Sequence, residues 1–106
     1  MRLSGRTAVV TGGAQGVGRA LATRLAQDGA AVVLADVQEA AAAAQALSAA
    51  GHRARGVTAD VTSAEDLARV VAEARDAFGG IDILVNNAAY FSSIEPTPFE
   101  EIDPAA

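Results

Sequence analysis

Between Thr11 and Gly18 the chain reads Thr-Gly-Gly-Ala-Gln-Gly-Val-Gly, and the residue types in that run suit one task. A pyrophosphate needs a tight turn, backbone close enough to touch, and free N–H groups where a helix begins. Gly12 supplies the turn, Gly16 the close approach, and Gly18 the close packing of helix on strand. Thr11, Gln15 and Val17 share the loop and complete its set of candidate contacts. The run sits between a strand pattern and a helix pattern in a unit of about 30 residues, as a phosphate-binding turn requires.

Asp36 follows eighteen residues after Gly18. A carboxylate at that distance, ending the second strand, accepts hydrogen bonds from both hydroxyls of an adenosine ribose. It also repels a 2′-phosphate. Val37 comes next and Gln15 lies in the glycine loop, so no basic residue offers such a phosphate a partner. NAD is therefore expected in preference to NADP. The bland reading of Asp36 is a cap on the following helix.

Other chemistry-bearing side chains are thinly spread. His52 follows Gly51 in a loop and reads as a solvated side chain. Glu65 and Asp82 lack a second acid placed for acid–base work, and Arg75 with Asp76 reads as a solvated helix face. No group of His or acids has metal-ligand spacing, and Cys is absent.

The elements that must position these residues alternate. Thr7–Thr11 is a buried strand pattern ended by Gly12-Gly13, and Val17, Leu21 and Leu25 mark the face of a helix running to about Asp28. Ala31–Ala35 is a second strand closed by Asp36. Residues 39–50 form an Ala-rich helix whose composition follows from helix propensity alone. Ala54–Val57 is a weaker third strand. Ser63 caps a helix with Glu65 and Asp66 in its first turn and a stripe of Leu67, Val70, Val71, Ala74 and Phe78. Residues 81–85 form a fourth strand, and a further helix is expected near Phe99 or Asp103. Such alternation gives a parallel sheet. With right-handed crossovers its order is 3-2-1-4, the first two helices on one face and the third on the other. The ligand crevice lies at the reversal between strands 1 and 4.

Composition sets the outer limits. With 106 residues and 51% hydrophobic content the chain holds one domain, its core resting on Val, Leu and Ile because Ala buries little area. The formal charge is −5, and the eight basic residues are scattered and all Arg, which argues against nucleic acid. No signal peptide and no apolar stretch of membrane-spanning length occurs, so a soluble cytoplasmic protein is expected.

The glycine loop resembles that of the short-chain dehydrogenase/reductase family, T-G-x-x-x-G-x-G. Two further family marks follow in register. Asp60-Val61 falls where the family places an acid on the adenine amino group and backbone beside the ring, although Asp60 alone would read as an ordinary loop acid. Asn86-Asn87-Ala88-Ala89 matches N-N-A-G, with Ala89 in place of Gly. The resemblance implies a Rossmann-like, doubly wound α/β sheet, here partial. It adds Asn87, Ala88 and Ala89 to the cofactor-contacting set.

The family's chemistry uses Tyr-x-x-x-Lys, an upstream Ser and an Asn on the next helix. The one Tyr here, Tyr90, has Ile94 four residues on, and the sequence holds no Lys. Ser92 and Ser93 fall too early. No catalytic residue is carried over. The resemblance thus implies the NAD-binding half, residues 1–106, of an oxidoreductase acting on an alcohol or carbonyl substrate, homo-oligomeric when complete. A noncatalytic NAD-binding module and an inactive truncation product stay open beside it. With the fourth strand's outer edge unpaired, low stability and self-association of the isolated chain are expected.

Overall fold

The computed structural model describes residues 2–87. Within them the order is β1 (Thr7–Thr11), α1 (Gly16–Gln27), β2 (Ala31–Asp36), α2 (Ala40–Ala49), β3 (Ala54–Thr58), α3 (Ala64–Phe78) and β4 (Ile83–Asn86). The four strands are parallel in the order β3-β2-β1-β4, the expected partial Rossmann-like arrangement. The helix expected near Phe99 or Asp103 lies outside the described residues. No described helix is long and apolar enough to cross a membrane.

Side chains alternate across the sheet and build two cores. Ala8, Val10, Val32 and Leu34 meet α1 and α2 through Ala22, Ala26, Ala43, Ala44 and Leu47. Val9, Val33, Ala35 and Val57 meet α3 through Val70 and Ala74. That division of faces is what right-handed crossovers on either side of β1 require.

The contact surface of α1 differs from the expected stripe, whereas α3 keeps Val70, Ala74 and Phe78 of its stripe against the sheet. On α1 the buried residues are Gly18, Ala22 and Ala26, whereas Val17 is 68% exposed and Leu21 is 39% exposed. Small side chains at i, i+4 let the helix lie close on the sheet, and the larger ones are pushed to its flanks. Among the described residues, twelve of the twenty buried hydrophobics are Ala and none is Ile, while the largest fully buried side chains are Leu34, Val9, Val10, Val32 and Val33. On α3, Val70 and Ala74 are buried while Leu67 stays partly exposed.

β4 begins at Ile83 rather than Ile81 because Asp82 closes its start. The Asp82 carboxylate accepts the Thr7 N–H at 2.8 Å, and the Asp82 N–H donates to the Thr7 carbonyl at 2.8 Å. Beyond this clip Ala8 pairs with Ile83 and Thr11 with Asn86. Ile83 and Val85 pack partly against the α1–α2 core, while Leu84, on the α3 side, is 57% exposed. Ser63 caps α3 as expected, its hydroxyl accepting the Asp66 N–H at 3.3 Å.

Candidate nucleotide-binding site

Parallel strands bring the ends of β1, β2, β3 and β4 to one edge of the sheet, and the turn from β1 to α1 is fastened there. The Gly12 and Gly13 N–H groups both donate to the Ala35 carbonyl, at 2.7 and 3.3 Å. The Ala14 N–H donates to Asp36 Oδ2 at 3.0 Å. Gly12 and Gly16 take φ values of +64° and +57°, backbone that a side chain would strain. A Cβ at Gly16 would meet nothing within 4 Å, so the space above it is open. A Cβ at Gly18 would drive into the Gly12 carbonyl and stand 2.6 Å from the Asn87 side-chain nitrogen. Helix and turn touch at Gly18, and no larger residue fits.

The start of α1 is left for an outside partner. Gln15 is its N-cap without a side-chain cap bond, no acid occupies the first turn, and Arg19 is the first N–H bonded back, to the Gln15 carbonyl at 3.2 Å. Preceding N–H groups and the helix dipole together favour an anion at that point.

Asp36, half-buried, also accepts the Gln38 N–H on Oδ1 at 3.2 Å. It is not the cap of α2. That position belongs to Glu39, in left-handed backbone at φ +56° and without a side-chain cap bond. Val37 is exposed beside Asp36, and the Gln15 and Gln38 side chains meet across the mouth at 3.5 Å.

Thr11 is buried, and its hydroxyl bonds to the end of β4. It donates to Asn86 Oδ1 at 3.0 Å, with Val85 O at 3.3 Å, and accepts the Asn87 N–H at 3.0 Å. The end of β4 is thereby locked to the start of the glycine turn. Ala88 and Ala89 lie outside the described residues.

At the end of β3, Asp60 is exposed and Val61 half-buried. Asp60 Oδ1 accepts both the hydroxyl and the N–H of Thr62, at 2.5 and 2.9 Å, and these bonds hold its carboxyl below the ordinary aspartate range. The Asp60 N–H in turn donates to Asp66 Oδ2 at 2.7 Å. That bond, with Arg69 on the other oxygen at 3.0 Å, lowers Asp66 as well. Among the described residues no cluster of three or more His, Cys or acids could hold a metal.

The arrangement gathers an uncapped helix start, Asp36 and the end of β3, with Asp60 and Asp66, at one edge of the sheet. Its sequence matches the short chain dehydrogenase model over residues 6–106. The chain belongs to the short-chain dehydrogenase family. Among its short-chain dehydrogenase relatives, it is 48% identical over 91 residues to sorbitol dehydrogenase of Cereibacter sphaeroides, covering 86% of this chain and 35% of that protein. It is 48% identical over 103 residues to cis-4-hydroxycyclohexanecarboxylate dehydrogenase of Sinomonas cyclohexanicum, covering 95% of this chain and 40% of the other. A crystal structure of hydroxysteroid dehydrogenase from Escherichia coli superposes with a TM-score of 0.77 at 36% identity, over 83% of this chain and 38% of that one. The chain thus spans well under half the length of these relatives.

Three features of this short-chain dehydrogenase site escape a reading of the sequence. The backbone N–H of Ala14 carries no side-chain signal at all. Asn86 shares the Thr11 tie, which only the β1–β4 register reveals. Asp66 was legible as the fourth residue of the Ser63 cap, yet its bond to the Asp60 N–H depends on how β3 enters α3.

Proposed function

We propose that residues 1–106 are the NAD-binding half of an oxidoreductase that interconverts an alcohol and its carbonyl compound. The uncapped start of α1, flanked by the open space above Gly16, supports a pyrophosphate on the N–H groups of Gly16, Val17 and Gly18. Asp36 would accept the adenosine ribose hydroxyls. Val37, Asp60 and Val61 would border the adenine, and Asn87, Ala88 and Ala89 would contact the rest of the cofactor. Gly12 and Gln15 shape the turn, and Thr11 ties it to β4. Bound NAD would supply or accept the hydride. Relatives named sorbitol dehydrogenase and galactitol 2-dehydrogenase support an alcohol or carbonyl substrate.

The choice of NAD over NADP rests on one observation, the Asp36 carboxylate beside an exposed Val37. A 2′-phosphate there would face a negative charge with no cation on the next residue. Calorimetry with both cofactors tests this, and tighter binding of NADP by the unaltered chain would sink it. Asp36→Ala combined with Val37→Arg should move the affinity ratio toward NADP. Lacking any Lys, and with Ile94 where a Tyr90-x-x-x-Lys pair would need one, these residues should bind NAD without forming NADH from an alcohol. NADH absorbance in a mixture of the chain, NAD and a polyol measures that directly.

A further inference from the structure

We propose that Asp36 is a positioning residue for the pyrophosphate turn as well as the residue that selects the ribose. The proposal rests on the nucleotide-binding reading above. Its basis is where the turn's N–H groups go. Gly12 and Gly13 use the Ala35 carbonyl, but Ala14 has only the Asp36 side chain. Ala14 is 2% exposed, so water offers its N–H no substitute partner. The last fastening of the turn is therefore a carboxylate on another strand, 22 residues further along the chain.

The carboxylate is fixed in return. Oδ2 takes the Ala14 N–H and Oδ1 takes the Gln38 N–H, so its plane is held by the segments on either side. A carboxylate oxygen has two acceptor positions, and one remains on each. Two ribose hydroxyls use that remainder without disturbing the turn. One group thus sets both the shape that meets the pyrophosphate and the contact that meets the sugar. A substitution at position 36 changes both together.

The experiment compares ADP with 2′,3′-dideoxy-ADP on the full chain, unaltered and as Asp36→Ala and Asp36→Asn. If Asp36 served the ribose alone, dideoxy-ADP would bind Asp36→Ala and the unaltered chain equally. The latch requires dideoxy-ADP to weaken by about tenfold, the equivalent of one hydrogen bond. Asp36→Asn keeps one acceptor oxygen and should fall between them. It also covers the case in which Asp36→Ala does not fold. Hydrogen exchange at the Ala14 amide provides a readout independent of ligand. It should accelerate in both variants, most in Asp36→Ala, while exchange at Val33 stays slow. Equal dideoxy-ADP affinity, or an Ala14 amide as protected as before, overturns the proposal. Failure of the unaltered chain to bind ADP would instead defeat the nucleotide reading, and Ala14 exchange would still decide the latch.

Discussion

The ends of β2 and β3 both carry an aspartate aimed at backbone N–H groups, and the two are built differently. Asp36 reaches 22 residues back to the Ala14 N–H and so joins two elements. The Asp60 carboxylate bonds to Thr62, two residues on, and shapes its own loop. One acid is a half-buried fastening between segments, and the other is an exposed feature of a local turn. An acid at the end of a parallel strand is therefore not one kind of residue. What it holds depends on which neighbour its strand register brings alongside.

The largest expected effect comes from striking the fastened end through its tightest contact. Gly18→Val puts side-chain atoms into the Gly12 backbone, which cannot yield as a side chain could, and against the Asn87 amide. Overpacking costs roughly 1–3 kcal/mol and backbone obstruction lies at the upper end. A clear fall in the urea midpoint is expected, and an unchanged midpoint would mean that helix and turn are not held by this contact. Gly16→Val is the contrast, since the space is open and the cost is the strained φ, about 1–2 kcal/mol. It should leave the chain folded and abolish NAD binding, as calorimetry would show.

Next in size is the pair of aspartates themselves. Asp36→Ala strands the buried Ala14 N–H, at a cost of about 1–3 kcal/mol. Asp60→Ala releases groups that water can solvate and should shift the melting temperature less. Equal shifts would erase the distinction drawn here.

A smaller effect concerns acid. Thr62 lowers the folded-state pKa of Asp60, first through its hydroxyl and then through its N–H, while the unfolded value stays near about 3.9. The stability this contributes is fully present above the unfolded value and disappears as pH falls through the folded one. Asp66 behaves alike, held first by the Asp60 N–H and then by Arg69. In Thr62→Val, carboxyl NMR should show Asp60 titrating closer to the ordinary range. An unmoved titration would place the cause elsewhere. Smallest is Glu39→Gly, which relieves left-handed backbone at φ +56° and should raise stability by up to about 1 kcal/mol.

Much of this molecule was legible as pattern. Short β-branched runs, the glycines at both ends of α1, the Ser63 cap and the place of Asp36 follow from rules of local conformation, and crossover handedness then orders the strands. What stayed hidden was which side of α1 meets the sheet. Val17 and Leu21 outrank Gly18 and Ala22 in hydrophobicity, but close approach rewards small residues, and hydropathy does not record distance. The start of β4 was hidden for a related reason. Ile81 continues an apolar alternation, while the clip that ends the ladder is a hydrogen bond from Thr7 to Asp82, far apart in sequence. Likewise, the Thr11 hydroxyl gave no sign that it bonds to Asn86.

That Thr11 bond has a consequence for the order of assembly. Its partner Asn86 is 75 residues away, whereas β1 meets β2 directly across α1. Closing the longer loop costs more chain entropy and returns it only through contacts that form last. During synthesis β1, α1 and β2 leave the ribosome well before Asn86 and Asn87. The glycine turn is then expected to wait, fastened to β2 but open toward β4, until β4 slides in beside β1. Pulsed hydrogen exchange on the refolding chain should show this as a lag, with the Asn87 amide protected after that of Val33.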